Sequence, residues 1–251
     1  TPWDHVRSSF VFVPLSVRPC RSVVCYGITT GAVSDSYPNL FAPAGLTFAI
    51  WGVIYLALAG YVLYQFGLMQ KDKTDIQRAS DQKVRLLFIV SSLANSIWIF
   101  AWHFRLIPLT LVLMLVLLVS LAAVNLTTRH QTNESGGKIF VRLPFAIYFG
   151  WITVATIANV TTLLVDLQWG GAGLSEQAWT ILILLAGLLI GWITMVFLKN
   201  IAYGLVLIWA YTGILLKHLS ASSFDGQYPG VIVTVIGCLV LYAIALIVVV
   251  V

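Results

Sequence analysis

Seven long apolar runs, none containing Asp, Glu, Lys or Arg, constrain this 251-residue chain more than any other feature. They cover about residues 45–66, 86–104, 106–126, 143–165, 178–198, 201–216 and 229–251. Most of them are close to the length of about 20 residues that a helix needs to cross a bilayer. Because lipid does not tolerate unpaired backbone groups, and because the alternating pattern of barrel strands is missing, the runs must be helices. The sequence therefore predicts an all-α integral membrane protein, a bundle of about seven transmembrane helices.

Composition narrows the expected partners. Hydrophobic residues make up 60% of the chain and charged residues 9%, a balance that is wrong for a water-facing surface but typical of contact with a lipid bilayer. The 14 Lys and Arg residues are dispersed through short loops, so the net charge of +5 does not indicate nucleic-acid binding. Cys20, Cys25 and Cys238 show no metal-ligand spacing and are expected to be free thiols, with no metal site.

The loop charges predict an orientation. Nine Lys and Arg residues follow runs one, three and five, against two in the intervening loops. By the positive-inside rule, loops 67–85 and 127–142 face the cytoplasm. The acidic loop 166–177 then lies on the other side, where Trp169 and Trp179 are typical interface anchors.

The chain is expected to form one membrane domain with three parts. Residues 1–30 are irregular, and their arginines leave apolar windows too short to span; an interfacial segment and the remnant of a targeting segment both stay open. Residues 31–165 contain the first four runs, entered through a Gly/Pro/Ser-rich ordered loop. Residues 177–251 add three further transmembrane helices.

Aromatic and amide side chains recur at helical spacing in three runs, so each set shares one helix face. The sets are Phe48, Trp51, Tyr55 and Leu58; Ser91, Asn95, Trp98 and Trp102; and Tyr148, Trp151, Ala155 and Asn159. Facing each other, they would wall a pocket for a flat ligand, oriented by amides and a hydroxyl. Alternatively, they are packing, with Asn95 and Asn159 bonded to neighbouring backbones. Spacing alone favours the packing interpretation.

Three ordered motifs carry a family resemblance. FAPAGLTFAIWGVIY, SSLANSIWIFAWH and WITVATIAN resemble signatures of the TspO/MBR family of tryptophan-rich sensory proteins, which are translocator-protein-like. The resemblance covers about residues 31–165, and the last three helices have no counterpart in short family members. It implies a bundle that binds porphyrins, or other planar or sterol-like molecules, in a pocket closed by a loop.

The resemblance also implies particular site residues. The matching pocket residues are Trp51, Asn95, Trp98, Trp151, Ala155 and Asn159, and the same stripes add Tyr55, Trp102 and Tyr148. The closing loop, or lid, is represented by Tyr37, Phe41 and Pro43. Pro144 departs from the family pattern, because it lies seven residues before Trp151 where four are expected.

The predicted function is binding and sensing, or shuttling, of porphyrin-like or other planar hydrophobic ligands. A secondary transporter or channel-like carrier is the first alternative, although the runs contain no acidic or basic residue to couple protons. A structural membrane-assembly subunit is the second. No catalytic residues are identified, and whether the chain is an enzyme stays open. No cofactor is obligatory, a tetrapyrrole is a possible ligand, and a homodimer is a possible assembly.

Two weaker patterns lie in the last three helices. Gly187 and Gly191 would allow close helix approach. Leu207, Tyr211 and Lys217 satisfy the loose spacing of a cholesterol-contact motif, which adds a sterol to the candidate ligands.

Overall fold

Helices form most of the computed structural model, which describes residues 29–66, 75–129 and 135–250. The helices are α1 (Thr30–Asp35), α2 (Ile50–Gln65), α3 (Asp75–His103), α4 (Ile107–Thr128), α5 (Ser135–Gly137), α6 (Leu143–Asp166), α7 (Glu176–Leu198), α8 (Ile201–Leu219) and α9 (Pro229–Val250). A 3-10 turn, Gly45–Ala49, leads into α2, and a π-helical turn, Lys138–Arg142, leads into α6. Seven of these helices are long and apolar enough to cross a membrane, which confirms the predicted spans.

The helices extend beyond the apolar runs that predicted them. Residues 75–85 belong to α3 and residues 135–142 to the helical approach to α6, so much of the two loops predicted at 67–85 and 127–142 is helical. Lys, Arg and Gln are good helix formers, so a helix continues past the edge of its apolar window. Which side of the membrane these segments face stays a prediction.

The predictions for the cysteines and for the segment before the first span have different outcomes. The segment 1–28, with Cys20 and Cys25, lies outside the described residues. Cys238 is a free, buried cysteine, as predicted. The expected loop before the first span contains a short helix, α1, whose first turn is capped by the Thr29 hydroxyl accepting from the Ala32 amide at 3.2 Å.

The centre of the bundle is α6. It packs against α2, α4 and α8, while α3 packs on α4 and the helices α7, α8 and α9 form a second group. Because it has neighbours on several sides, 67% of its span is buried, against 28% for α2, α7 and α9. Side chains on α6 are therefore the ones most enclosed by protein.

Small residues allow the last three helices to pack closely. The Tyr211 hydroxyl on α8 donates to the Leu184 carbonyl on α7 at 2.8 Å, and the Tyr242 hydroxyl on α9 donates to the Gly187 carbonyl at 2.9 Å. A Cβ on Gly187 would lie 2.5 Å from the Tyr211 hydroxyl, and one on Gly191 would lie 2.7 Å from the Tyr242 hydroxyl. The glycines thus serve the close approach that the sequence predicted.

The same contacts overturn the cholesterol-contact prediction at Leu207, Tyr211 and Lys217. Leu207 and Tyr211 are each only 1% exposed. The Tyr211 hydroxyl is bonded to α7. The motif therefore faces protein instead of lipid, because α8 is enclosed by α6, α7 and α9.

Candidate functional site

The aromatic stripes of α2, α3 and α6 meet around Trp51. Its ring centroid lies 5.6 Å from that of Tyr55, 5.7 Å from Trp98, 6.1 Å from Tyr148 and 6.2 Å from Trp151. The Trp51 and Trp98 rings stack, whereas Tyr148 and Trp151 meet Trp51 edge to face. Three spans that are far apart in sequence therefore direct their rings toward one another, and these five residues are called the aromatic cluster.

The aromatic cluster has a closed side and an open side. Trp98, Tyr148 and Trp151 are buried, Trp51 is half-buried, and Tyr55 is 44% exposed at the outer surface of the bundle. The backbone of α2 packs mainly against α6. Its links to α3 include the Trp51–Trp98 stack and a 3.2 Å hydrogen bond from Asn95 Nδ2 to the Tyr55 hydroxyl. Tyr55 thus anchors Asn95 and forms the outer edge of the cluster.

The space between the stripes is small. The cleft beside the aromatic cluster has a volume of about 30 Å³. That is room for about one water molecule. Its walls include the predicted residues Trp51, Trp98, Trp102, Trp151, Ala155, Asn159 and Pro43. Tyr55, Asn95 and Tyr148 are not among the residues that line the cleft, and the rings themselves occupy most of the space that a ligand would need.

Several buried polar atoms of this region have no hydrogen-bond partner within the described part of the chain. They are Asn95 Oδ1, Trp98 Nε1, the Tyr148 hydroxyl and Trp151 Nε1. An unpaired buried polar group costs about 1–3 kcal/mol, so native proteins keep few of them. Four such atoms on adjoining side chains form a polar set suited to a partner that accepts hydrogen bonds from the two indoles and the phenol.

Two predicted site residues have structural partners instead. Asn159 Oδ1 lies 2.9 Å from the Thr110 hydroxyl and so links α6 to α4. Trp102 Nε1 donates to the Thr30 carbonyl at 3.1 Å and so holds the end of α3 against α1. Both side chains line the cleft, but their polar atoms contribute to packing, the interpretation that spacing alone favoured. Asn159 does so through a side-chain hydroxyl and not through the backbone contact that was expected.

Five residues of the cleft wall were not predicted from the sequence: Ser34, Met114, Val154, Ala158 and Thr162. Met114 comes from α4, a span that was passed over because it lacks aromatic residues. Thr110 and Met114 lie four positions apart on α4 and so share one face, which was a usable signal. The Phe48 ring completes the wall edge to face with Trp151, at 5.7 Å between centroids.

The predicted lid residues separate into different surroundings. The lid segment, residues 36–44, turns around Asn39, whose Oδ1 accepts from the amides of Phe41 and Ala42 at 3.1 and 2.8 Å. Pro43 lines the cleft, and Phe41 lines a second cavity beside it. Tyr37 is half-buried and lines neither.

The lid segment and its flanking turns are fastened to α8. Within the segment, the Ala44 amide donates to the Gly213 carbonyl at 3.0 Å, and His218 Nε2 lies 2.9 Å from the Leu40 carbonyl. On either side, Lys217 pairs with Asp35 at 2.7 Å and Trp209 Nε1 donates to the Thr47 carbonyl at 3.0 Å. One of the three helices that the sequence treated as additional therefore holds the lid segment in place.

Comparison with known proteins shows the family of this chain. The family model described as TSPO-like protein matches residues 11–250. The chain belongs to the TSPO-like protein family. No curated protein and no solved structure matches the chain.

The family match is longer than the resemblance read from the motifs. The motifs covered residues 31–165, whereas the family match begins at residue 11 and also includes α7, α8 and α9, the helices without a counterpart in short members. At the level of the family, membership supports a multi-pass membrane protein of the sensing and binding kind.

Proposed function

We propose that this protein binds a planar hydrophobic ligand of the porphyrin class at the aromatic cluster, for sensing or shuttling within the membrane. The observation that carries the proposal is the set of four unpaired buried polar atoms among the facing rings of three spans. A packing role accounts for the rings but gives no reason to bury these atoms without partners.

The chemistry of the polar set suits a flat macrocycle with acidic substituents. The two indole N–H groups and the Tyr148 hydroxyl are donors, and Asn95 Oδ1 is an acceptor. Porphyrin carboxylates accept hydrogen bonds, and the ring itself can stack on indoles. Binding would therefore supply partners to groups that are buried without them in the unliganded protein.

Entry of such a ligand requires Trp51 to move. The cleft of about 30 Å³ does not admit a macrocycle while the Trp51 ring stacks on Trp98. Trp51 is the half-buried member of the stack, and Tyr55 beside it is exposed at the membrane-facing surface. Since α2 is linked to α3 here through side chains, rotation of Trp51 and Tyr55 would open the cleft between these two helices toward lipid.

The test is a titration of the purified protein, in a neutral maltoside detergent, with protoporphyrin IX, followed by the shift of the porphyrin absorbance band. The variants Trp98→Phe and Trp151→Phe keep an aromatic ring but remove one donor each. Loss of one hydrogen bond to a carboxylate should weaken binding about tenfold. Trp192→Phe is the matched control, because Trp192 lies on α7 and is 45% exposed.

Two results would reject this function. One is the absence of saturable binding by the wild-type protein. The other is equal affinity for wild type, Trp98→Phe, Trp151→Phe and Trp192→Phe, which would leave packing as the role of the aromatic cluster. The tight cleft is the observation that favours this structural alternative.

A further inference from the structure

A second and larger cavity lies where α6 ends, α7 begins and the lid segment passes. Its volume is about 280 Å³. Its wall contains three aromatic side chains, Phe41, Trp169 and Trp179, together with Glu176 and the hydroxyl-bearing Thr161 and Thr180. The cavity is separate from the aromatic cluster, and the proposal below does not depend on porphyrin binding.

Three side-chain donors in this wall are engaged within the protein. The Thr161 hydroxyl donates to the Ala158 carbonyl at 2.7 Å, and the Thr180 hydroxyl donates to the Glu176 carbonyl at 2.9 Å. The Asn39 amide nitrogen donates to the Tyr37 carbonyl at 2.9 Å. Each hydroxyl keeps a free lone pair, so Thr161 and Thr180 can each accept a hydrogen bond from a ligand.

One further donor is engaged by the loop at the cavity rim. Trp179 Nε1 donates to the Gly171 carbonyl. Gly171 and Gly173 have φ values of 71° and 83°, which turn the loop back beneath the Trp179 ring. The indole N–H therefore shapes the rim and is not available to bind a ligand.

The charge and the aromatic rings of the wall both favour a positively charged ligand. The exposed Glu176 carboxylate forms no ion pair within the described residues. The Trp169 and Trp179 rings meet edge to face at 4.8 Å. Ring faces carry negative potential and attract cations. A carboxylate, free acceptor lone pairs and indole faces together select a positively charged ligand that donates hydrogen bonds.

We propose that this cavity binds an organic ammonium ion that carries an apolar group. The ammonium lies by Glu176 and the Trp169 and Trp179 rings, and the apolar group lies against Leu164, Val165 and Ile183, which line the remaining wall. A cavity of about 150 Å³ holds benzene. The 280 Å³ here suits one ring with a short chain. The same chemistry occurs in a free amine and in the ethanolamine headgroup of a phospholipid.

Isothermal titration calorimetry in a neutral maltoside detergent tests the proposal. The probe is 2-phenylethylammonium chloride, and 2-phenylethanol is its uncharged counterpart. The alcohol should bind about tenfold more weakly, as expected for loss of a cation–π contact and an ion pair. Glu176→Gln should weaken binding of the ammonium about fivefold. Asp225→Asn, an exposed carboxylate outside the cavity, is the matched control and should leave the affinity unchanged.

A competition experiment identifies the source of the ligand. Dihexanoyl-phosphatidylethanolamine displaces the probe if the cavity takes lipid headgroups, whereas failure to displace it assigns the cavity to free amines. Dihexanoyl-phosphatidylglycerol is the control lipid. Three results would overturn the proposal: no saturable binding of the ammonium, equal affinity for the alcohol, or equal effects of Glu176→Gln and Asp225→Asn. None of these bears on porphyrin binding at the aromatic cluster.

Discussion

His218 Nε2 lies 2.9 Å from the carbonyl oxygen of Leu40, a residue 178 positions earlier in the chain. Because a carbonyl oxygen only accepts, the neutral ring must carry its proton on Nε2, and Nδ1 has no partner among the residues that the structure describes. Phe224 and Tyr228 pack around the ring, at 4.8 and 5.9 Å between centroids. This buried donor fixes the lid segment to α8.

Replacing this donor should loosen the lid segment. His218→Ala leaves the Leu40 carbonyl without its partner and opens space beside Phe224, so it should lower the free energy of unfolding by about 2–4 kcal/mol. Unfolding in mixed dodecylsulfate micelles measures the change. Ser222→Ala, at an exposed position of the following loop, is the control. If both variants lose the same stability, the His218 contact does not anchor the lid segment.

The crossing of α8 with the turn Gly45–Ala49 requires a glycine. A Cβ at Gly213 would overlap the Thr47 hydroxyl, whereas nothing lies within 4 Å of a Cβ at Gly237 in α9. Gly213→Ala should therefore lower the free energy of unfolding by about 1–3 kcal/mol, and Gly237→Ala should raise it by about 0.5–1 kcal/mol.

A second substitution tests whether overlap with Thr47 is the cause of the loss in Gly213→Ala. Adding Thr47→Ala removes the overlapping hydroxyl and should restore part of the stability lost in Gly213→Ala. Strictly additive effects in the double variant would mean that Gly213 is needed for another reason.

Paired and unpaired indoles should respond differently to the same substitution. Trp102 and Trp151 are each 3% exposed, but Nε1 of Trp102 donates to the Thr30 carbonyl, while Nε1 of Trp151 has no partner within residues 29–66, 75–129 and 135–250. Trp102→Phe should therefore cost about 1–2 kcal/mol more unfolding free energy than Trp151→Phe. Thermal unfolding of the unliganded variants measures the difference. Equal losses would indicate that Trp151 Nε1 has a partner after all.

Alkaline pH should weaken the fold through Tyr37. Burial raises the pKa of Tyr37 above its ordinary value of 10.0, Asp166 adds to the shift and Arg105 opposes it. A raised folded-state pKa gives stability that is full below pH 10 and is lost as pH rises through the folded pKa. Tyr37→Phe should show a smaller loss of unfolding free energy above pH 10 than wild type. Parallel pH curves for the two proteins would contradict this assignment.

The spans and their facing stripes were predictable because they follow from strong, local rules. Burying a charge in lipid is costly, so uncharged runs locate helices, and helical spacing places Trp51, Trp98 and Trp151 on defined faces. The closure of the cleft was not predictable, since it depends on how the Trp51 and Trp98 rings pack after the helices meet. The role of α8 was equally hidden, because His218, Gly213 and Trp209 form no pattern that refers to the lid segment.

The long stretch of sequence between the lid segment and α8 has a consequence for biogenesis. Ribosomes deliver the chain from its N-terminus, so α2, α3, α4 and α6 enter the membrane while the residues that fasten the lid segment have yet to be synthesised. During this interval the lid segment, which contributes Pro43 to the cleft wall, is not yet held by α8. The Pro43 side of the cleft wall therefore takes its final position only after α8 has inserted, later than the helices that carry the aromatic rings.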